Sequence, residues 1–289
     1  MKIIYENEKL SRYNWFNLGG PAKILLKLQS INELMKFLKS NKENNLKVHV
    51  LGAGSNTLFR DGGFDGVVIK LGNNFSYTKL IKENEIEVGA ATMDKKLSDF
   101  AMENSLSGFE FLSCIPGSIG GAITMNSGCY DNDISQVFLS LKAINLEGEI
   151  EIYNKDQIKF FYRGNNLKKN LIILSAILKG KISNKEKIFE KQKKLIEKKR
   201  ESQPTRVKTC GSTFKNPENK KAWELIQLSE CSNLKVGGAS ISQKHNNFFL
   251  NNGDATSSDI EKLIDKVKEK VFKKTGTELE LEIQIIGKK

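Results

Sequence analysis

The chain has 289 residues, of which 39% are hydrophobic and 8% aromatic, enough for a hydrophobic core and against wholesale disorder. Its net charge is +12, and lysines supply most of the positive charges. The chain has only five arginines: Arg12, Arg60, Arg163, Arg200 and Arg206. Nucleic-acid readers favour arginine, so this composition disfavours a nucleic-acid-binding module and fits a polyanionic small-molecule substrate.

Neither the N-terminus nor any internal segment is apolar enough to predict a signal peptide or a transmembrane helix. The four cysteines are far apart and there are only two histidines, so the sequence predicts neither a metal site nor a disulfide framework. We therefore expect a cytoplasmic protein that does not insert into a membrane.

The first elements form a β-α-β pattern that predicts a small mixed sheet: a strand over 22–28, a helix over 30–41 and a strand over 47–52. Ser30 and Glu33 form a capping-box pattern at the start of that helix. The next segments are a glycine-rich stretch that closes on a strand, an alternating strand and an amphipathic helix, at 52–71, 82–92 and 93–105.

Two β-rich segments follow, at 137–153 and 170–181. A lysine-rich helical run over 184–204 ends at Pro204 and predicts a solvated connecting helix. The last third of the chain predicts two helices and two strands, at 219–230, 256–276, 246–251 and 278–287.

Two glycine-rich segments are candidates for phosphate binding. LGAGSN at 51–56 follows a strand, but it matches neither the Rossmann fingerprint nor a P-loop, so a tight structural turn is the alternative. IPGSIGGA at 115–122 places Ser118 and two glycines at a helix start, where N–H groups and the helix dipole bind anions. The alternative there is a helix start that packs closely through its glycines. Together the two segments favour a cofactor that carries a pyrophosphate.

Several motifs occur in an order that resembles one family: NWFNLGGPA, LGAGSNTLFRDGGFDGVVI, EFLSCIPGSIGGAITMNSG, YRG, CGSTFKNP and ELEIQIIG. They are similar to those of the bacterial UDP-N-acetylenolpyruvoylglucosamine reductases, flavoenzymes of peptidoglycan precursor synthesis. The resemblance covers residues 14–287 and implies an α+β fold. In that fold, an FAD-binding region of the vanillyl-alcohol-oxidase type, made of two α/β subdomains, is joined to a smaller α+β substrate-binding domain.

We expect four regions along the chain. They are the FAD-binding region at 1–185 with a split near 72, a connecting helix at 186–204, the substrate-binding domain at 205–275, and a C-terminal strand at 276–289 that returns to the active site.

The resemblance implies that FAD is bound non-covalently and that NADPH is the hydride donor. No histidine or cysteine in the early glycine-rich segments is placed to tether a flavin. The residues implied to line FAD are Gly52, Ala53, Gly54, Ser55, Asn56, Thr57, Gly89, Ala90, Pro116, Gly117, Ser118, Gly120, Gly121 and Ala122.

The family reduces the enolpyruvyl ether of UDP-N-acetylglucosamine enolpyruvate to UDP-N-acetylmuramate. By resemblance, Ser212 is the proton donor, Arg163 grips the substrate carboxylate with its bidentate guanidinium, and Glu282 is the third catalytic residue. A carboxylate at Glu282, beside an anionic substrate, would have to be protonated or act as a hydrogen-bond partner. The alternatives are a turn hydroxyl for Ser212, a surface ion pair for Arg163 and, for Glu282, one polar strand face shared with Glu278 and Glu280.

Three further residues are expected to contact the nucleotide-sugar: Lys215, Asn216 and His245. Simple turn chemistry is the alternative for Lys215 and Asn216, and a structural role is the alternative for His245. A second open reading of the whole chain is another FAD-dependent oxidoreductase with the same cofactor fold.

The chain departs from the family pattern at two positions and in one spacing. Asn165 stands where we expect serine after the Tyr-Arg pair, and Gln284 stands where the family usually has arginine. The stretch between Arg163 and Ser212 is too short for an extra tyrosine-bearing loop, which resembles the shorter second type of the family.

Overall fold

The structure is a computed structural model that describes residues 3–289. Twenty strands lie in this range: β1 Ile3–Lys9, β2 Pro21–Leu28, β3 Lys47–Val50, β4 Thr57–Phe59, β5 Phe64–Leu71, β6 Thr78–Lys82, β7 Glu85–Gly89, β8 Leu106–Ser107, β9 Gly128–Cys129, β10 Asn132–Asp133, β11 Phe138–Ile144, β12 Ile150–Asn154, β13 Phe160–Phe161, β14 Gly164–Asn165, β15 Ile172–Lys179, β16 Lys181–Ile182, β17 Lys235–Val236, β18 Ala239–Ile241, β19 Phe249–Asn251 and β20 Gln284–Ile286.

The same residues form six α-helices: α1 Ile31–Asn44, α2 Asp94–Glu103, α3 Ile119–Thr124, α4 Lys185–Ser202, α5 Ala222–Leu228 and α6 Ser257–Thr275. Short 3-10 helices lie at Leu10–Tyr13, Asn73–Phe75, Glu110–Cys114, Ile134–Gln136 and Lys155–Gln157. Within residues 3–289, no helix is both long enough and apolar enough to cross a bilayer.

The chain divides into two compact units that alternate along the sequence. Unit 1 comprises Met1–Ile4, Leu26–Ala53 and Val68–Lys199, and unit 2 comprises Tyr5–Leu25, Gly54–Val67 and Arg200–Lys289. A four-stranded sheet has the order β1-β2-β5-β3. The predicted four-region division of the chain stays a prediction.

Unit 1 is built on a five-stranded antiparallel sheet in the order β12-β11-β15-β7-β6. Apolar side chains of its central strands, such as Leu141 and Ala176, share a buried core with residues of α2 and α3, such as Leu97 and Ile123. Burial of this apolar surface is the main stabilising contribution to the unit.

Unit 2 packs α5 and α6 around a three-stranded sheet in the order β17-β18-β19. The buried face of α6 repeats at helical spacing, with Ile260, Leu263, Ile264 and Val267 in the core. A second, two-stranded sheet pairs β20 in parallel with β4 and so brings the end of the chain to the strand after the first glycine-rich segment.

The mixed α+β class is confirmed, and the predicted helices at 30–41, 93–105, 219–230 and 256–276 correspond to α1, α2, α5 and α6. At the start of α1, Ser30 Oγ accepts a hydrogen bond from the N–H of Glu33 at 3.2 Å, and the Glu33 carboxylate accepts one from the N–H of Gln29 at 2.7 Å. The strand predicted over 278–287 is shorter: β20 covers three residues, and Leu281 makes only an isolated bridge to Phe214.

Candidate active site

In unit 2, the segment that carries Ser212 is held on both sides by backbone pairing. On one side, Ser212 forms an antiparallel bridge with Phe248, and the N–H of Thr213 donates to the carbonyl oxygen of Asn247 at 2.8 Å. On the other side, the carbonyl oxygen of Thr213 accepts a hydrogen bond from the N–H of Glu282 at 2.8 Å. The structure therefore places Ser212 and Glu282 on neighbouring backbone segments of unit 2, and their catalytic roles stay a prediction.

Asn247 fixes the position of this segment with its side chain. Its Oδ1 accepts from the N–H of Phe214 at 2.9 Å, and its Nδ2 donates to the carbonyl oxygen of Phe214 at 2.8 Å. Phe214 itself is fully buried, with its ring 5.8 Å from that of Phe249 in an edge-to-face arrangement. Phe214 is therefore a core anchor for this segment.

Gly211 lies directly before Ser212 and has a φ of +77°, in the left-handed region that favours glycine. No heavy atom comes within 4 Å of a Cβ built there, so glycine is required for conformation and space remains open beside it. The Ser212 side chain is partly exposed, and among residues 3–289 no group hydrogen-bonds to its hydroxyl. The hydroxyl is therefore available to a ligand.

Glu282 is also attached to the end of the first glycine-rich segment. Asn56 Nδ2 donates to the carbonyl oxygen of Glu282 at 3.0 Å, and the carbonyl oxygen of Asn56 accepts from the N–H of Gln284 at 2.9 Å. Gln284 then opens β20. Glu282 lies at the bend between the Leu281 bridge and β20, so its side chain is not on one regular strand face with Glu278 and Glu280.

In the same glycine-rich segment, contacts with the protein's own backbone require glycine at position 54. Its φ is +71°, and a Cβ there would lie 2.1 Å from the carbonyl oxygen of Tyr13. Its carbonyl oxygen accepts from the N–H of Trp15 at 3.0 Å. The structural-turn alternative therefore accounts for Gly54.

In unit 1, Arg163 lies in a two-residue turn between β13 and β14. Its φ of +58° is uncommon for a side-chain-bearing residue, and such strain is found preferentially at functional sites. Its guanidinium carbon lies 4.9 Å from the centre of the Tyr162 ring, close enough for a cation–π contact.

Two asparagines hold the Arg163 hairpin. Asn126 Nδ2 donates to the carbonyl oxygen of Phe161 at 3.1 Å, and Asn165 Nδ2 donates to the carbonyl oxygen of Ile123, in α3, at 2.8 Å. Asn165, which stands where we expected serine, thus uses its side-chain amide to bind the last turn of α3. Sequence reasoning missed Asn126, although it stands inside the quoted motif EFLSCIPGSIGGAITMNSG.

The second glycine-rich segment leads into α3, which has only six residues. The N–H groups of Ile119 and Gly120 donate to the carbonyl oxygens of Thr92 and Ala90, both at 2.9 Å, so they are not available to an anion. Gly120 packs closely on Ala90, with a built Cβ 3.1 Å from the Cβ of that alanine. This part of the segment fits the close-packing alternative.

Asp94, which sequence reasoning did not single out, lies against the same segment. A Cβ on Gly117 would be 2.3 Å from Asp94 Oδ2, and the N–H of Asp94 donates to the carbonyl oxygen of Gly117 at 3.1 Å. Full burial raises the pKa of Asp94 well above its ordinary value, and neither carboxyl oxygen finds a partner within residues 3–289. Asp94 is therefore packed beneath the segment, where burial favours the protonated form of its carboxyl group.

The remaining part of this region fits a phosphate-bearing cofactor. The two glycine-rich segments meet at Ser118, because a Cβ on Gly52 would lie 2.5 Å from Ser118 Oγ. Ser118 begins α3 without a side-chain cap, so its hydroxyl faces Gly52 instead of the helix. Gly52 and Gly121 are both exposed, and the nearest atom to a Cβ built on Gly121 is Ser118 Oγ at 3.7 Å. Exposed backbone without a Cβ on either side of a hydroxyl is a suitable cradle for a diphosphate.

Besides Gly54 and Ser118, four residues implied to contact FAD are buried by the protein: Thr57, Gly89, Ala90 and Ala122. A Cβ on Gly89 would lie 2.1 Å from the carbonyl oxygen of Phe75, and the N–H of Ala90 donates to Leu174 at 2.9 Å. The glycine at position 89 is therefore explained by internal packing. Ala53, Ser55 and Pro116 are partly exposed, whereas Thr57 is buried in β4.

The three predicted substrate contacts all lie in unit 2 and have local partners. Lys215 Nζ pairs with Glu280 Oε2 at 3.3 Å, and Asn216 Oδ1 accepts from the N–H of Ala222 at the start of α5 at 3.0 Å. Burial lowers the pKa of His245, and its Nδ1 accepts from the N–H of Asn247 at 3.3 Å. His245 is therefore neutral near pH 7, and it would offer a ligand a hydrogen bond from Nε2 but no charge.

Within the part of the chain that the structure describes, no group of three or more histidine, cysteine, aspartate or glutamate side chains is arranged to hold a metal ion.

Two family models match this chain. A model of the FAD binding domain matches residues 22–153, and a model described as UDP-N-acetylenolpyruvoylglucosamine reductase, C-terminal domain, matches residues 203–286. An FAD-binding domain joined to a reductase C-terminal domain defines an FAD-dependent oxidoreductase, which confirms the predicted cofactor and class.

Relatives of known name narrow the class further. The UDP-N-acetylenolpyruvoylglucosamine reductase of Pelagibacter ubique is 48% identical over 280 residues, covering 96% of this chain and 92% of that protein. The reductase of Rickettsia akari is 43% identical, with coverage of 96% and 94%. The crystal structure of the reductase from Thermus caldophilus matches with a TM-score of 0.86, 31% identity and 99% coverage of both chains. The chain belongs to the family of UDP-N-acetylenolpyruvoylglucosamine reductases.

Proposed function

We propose that the protein uses NADPH to reduce the enolpyruvyl ether of UDP-N-acetylglucosamine enolpyruvate to UDP-N-acetylmuramate, in the cytoplasm. The observation that carries this proposal is the pairing that places Ser212 and Glu282 on adjacent segments in unit 2, with 2.8 Å between the carbonyl oxygen of Thr213 and the N–H of Glu282. Family membership supplies the expected substrate, because the relatives' names identify them as reductases of that compound.

The residues that would hold the diphosphate of FAD in unit 1 are Gly52, Ser118 and Gly121. When bound, FAD supplies the hydride-transfer chemistry between NADPH and the enolpyruvyl group. The raised pKa of Asp94 suits this role, because burial favours the protonated carboxyl group beneath Gly117, where a carboxylate would repel a diphosphate.

Ser212 donates the proton that completes the reduction. Negative charge develops on the carbon next to the substrate carboxylate, and a carbanionic centre is basic enough to take a proton from a hydroxyl. Support for this role comes from the partly exposed hydroxyl and from the open space beside Gly211. A neutral donor also adds no charge that would oppose an anionic substrate.

Arg163 binds the substrate carboxylate and stabilises the charge that develops there. A guanidinium suits this task because its fork matches both carboxylate oxygens and it stays protonated at any working pH. The left-handed backbone at Arg163 and the two asparagine amides on its hairpin fix the direction from which the side chain projects.

Glu282 acts as a hydrogen-bonding partner near Ser212, and the nucleotide-sugar is bound by Lys215, Asn216 and His245. Lys215 contributes positive charge that it shares with Glu280. His245 contributes a neutral donor.

The test is the replacement Ser212→Ala, followed by anaerobic absorbance of the flavin. NADPH should still bleach the flavin bands at the wild-type rate, whereas their return on addition of UDP-N-acetylglucosamine enolpyruvate should slow by about 10²–10⁴-fold, because only the second half-reaction needs the proton. Ser258→Ala is the matched control, since Ser258 is exposed at the start of α6.

Two results would contradict the proposal. Equal loss of both half-reactions in Ser212→Ala would assign Ser212 a folding role. A wild-type protein that is bleached by NADPH but never recovers with this substrate would show that the cofactor chemistry is right and the substrate is wrong.

Arg163→Lys provides an independent test. Lysine keeps the charge but loses the fork, so the second half-reaction should stay at least about tenfold slower than in the wild type. Turnover close to wild type in this variant would remove Arg163 from the role of carboxylate ligand.

A further inference from the structure

A row of three aromatic rings in unit 2 leads from the Ser212 segment to the protein surface. Phe248, which forms the backbone bridge with Ser212, is buried, and its ring centre lies 4.7 Å from that of His245. The Trp223 ring follows at 6.3 Å from the His245 ring, with 58° between the two planes. The row therefore begins at the predicted proton donor and ends at a tryptophan that is 38% exposed.

The core of unit 2 does not account for the position of Trp223. Helix α5 buries Ala222, Leu225 and Ile226, whereas the side chain of Trp223 lies outside that buried face. A large, rigid aromatic surface that stays accessible to solvent is the feature that binding sites use to hold flat ligands.

Two residues that are already expected to contact the nucleotide-sugar flank Trp223. On one side, Asn216 Oδ1 accepts from the N–H of Ala222, the residue before Trp223, at 3.0 Å. On the other side lies the His245 ring. The indole therefore stands between the turn that follows Ser212 and the histidine, in the place where a nucleotide-sugar that reaches Ser212 would extend.

His245 presents a hydrogen-bond donor beside this indole. Its Nδ1 accepts from the N–H of Asn247 at 3.3 Å, so the neutral ring carries its hydrogen on Nε2. Within residues 3–289, no group accepts a hydrogen bond from Nε2. The arrangement therefore combines an exposed aromatic face with one donor that is available to a ligand carbonyl.

We propose that Trp223 provides the surface on which the uracil ring of the substrate stacks, and that the Nε2–H of His245 donates to the O4 carbonyl of that ring. This inference rests on the proposed function, which supplies a uridine nucleotide as substrate. When the enolpyruvyl group lies at Ser212, the base is at the opposite end of the substrate, and Trp223 is the opposite end of the aromatic row. Stacking accepts any base, whereas the donor selects uracil, because cytosine carries an amino group where uracil carries O4.

The first test is a titration that needs no turnover. The chain has two tryptophans, so Trp223 is the only one in FAD-loaded Trp15→Phe protein. UDP should quench its fluorescence because the base covers the indole, whereas inorganic pyrophosphate should leave the emission unchanged. CDP should bind about tenfold more weakly than UDP, and the added replacement His245→Phe should abolish that preference.

Steady-state kinetics then separates binding from the chemical step. Trp223→Leu should raise KM for UDP-N-acetylglucosamine enolpyruvate by about 5–150-fold and leave kcat within about threefold, because a distant base is held equally in the ground state and the transition state. Trp223→Phe keeps an aromatic face and should recover most of the lost affinity. Leu228→Ala is the matched control, because Leu228 is an exposed apolar residue of the same helix, and its KM should equal that of the wild type.

Three results would overturn the proposal: emission of Trp223 that does not respond to saturating UDP, an unchanged KM in Trp223→Leu, or equal affinity of the Trp15→Phe protein for UDP and CDP. Failure of the proposed function has a different signature. In that case the flavin of the wild type, once bleached by NADPH, never recovers with the enolpyruvyl substrate, while UDP still quenches Trp223 and so still supports the nucleotide site.

Discussion

Replacement of Asn247 by alanine should both destabilise unit 2 and slow the step that depends on Ser212. The Asn247 side chain satisfies the N–H and the carbonyl oxygen of Phe214, at 2.9 and 2.8 Å, and Asn247 is only 3% exposed. Alanine removes both partners and leaves the backbone pairing between Thr213 and Asn247 in place.

The expected cost follows from those two backbone groups. A buried donor or acceptor that loses its partner costs about 1–3 kcal/mol, so loss of both partners should lower the free energy of unfolding by about 2–6 kcal/mol. This is a large share of the stability of an ordinary domain. Because Ser212 is two residues from Phe214, a small displacement of the hydroxyl should also slow proton donation by at least about tenfold.

Urea unfolding followed by tryptophan fluorescence measures the first effect. The only two tryptophans, Trp15 and Trp223, both belong to unit 2, so the signal reports the unit that carries the change. With a slope of about 2 kcal/mol per molar urea, in the middle of the usual range, the midpoint should fall by about 1–3 M. Recovery of flavin absorbance after addition of substrate measures the second effect.

Asn252→Ala is the control for this experiment. Asn252 is exposed and donates to Ser240 Oγ at 3.1 Å, so its loss should change the free energy of unfolding by less than about 0.5 kcal/mol. If Asn247→Ala unfolds at the same urea concentration as Asn252→Ala and recovers the flavin absorbance at a normal rate, the assignment of Asn247 as the anchor of the Ser212 segment is wrong.

Two further predictions concern stability. Burial lowers the pKa of His49 to about 4 from its ordinary 6.5, so the unfolded chain binds the proton more readily than the folded one. The free energy of unfolding should keep this contribution in full above pH 6.5 and should fall by up to about 3 kcal/mol as the pH approaches 4. Thermal melts of His49→Gln should lack that fall. Gly54→Ala should lose more than about 2 kcal/mol, because the new Cβ adds a collision with Tyr13 to the strain of a positive φ. Gly148→Ala, with a φ of +87° and no neighbour within 4 Å, should lose only about 1 kcal/mol in circular-dichroism melts, and equal losses would contradict the collision argument.

Helices with strong local signals were predictable from the sequence. The predicted helix over 256–276 is observed as Ser257–Thr275, begun by Thr256 as N-cap and ended by Gly276 in a left-handed conformation. The predicted helix over 30–41 starts where Ser30 indicated and continues to Asn44. Caps and helical periodicity involve residues at most a few positions apart, so the sequence displays them directly.

The environment of Ser212 was not predictable in the same way. Its segment pairs with residue 248 on one side and with residues 280–282 on the other, which are at least 36 positions away. Only the resemblance to a family linked Ser212 to Glu282. The predicted C-terminal strand is interrupted for the same reason, because the N–H of Glu282 is directed to Thr213.

The sequence did not show whether the glycines of the glycine-rich segments serve internal packing or ligand binding. The structure distinguishes the two kinds of glycine. At Gly54 and Gly89 a Cβ would meet the carbonyl oxygens of Tyr13 and Phe75, so internal packing requires glycine. At Gly121 the space outside the helix's own backbone is open except for Ser118 Oγ. A sequence cannot show which glycines make room for the chain and which make room for a ligand, because both uses remove the same Cβ.

Neutral amides hold each of the candidate catalytic segments. Asn247 and Asn56 hold the segments of Ser212 and Glu282, and Asn126 and Asn165 hold the hairpin of Arg163. An amide satisfies both a donor and an acceptor of the backbone without adding charge, whereas a carboxylate in the same place would weaken the attraction for an anionic substrate and compete for the guanidinium. These asparagines therefore support the segments of Ser212, Glu282 and Arg163 without adding a negative charge beside them.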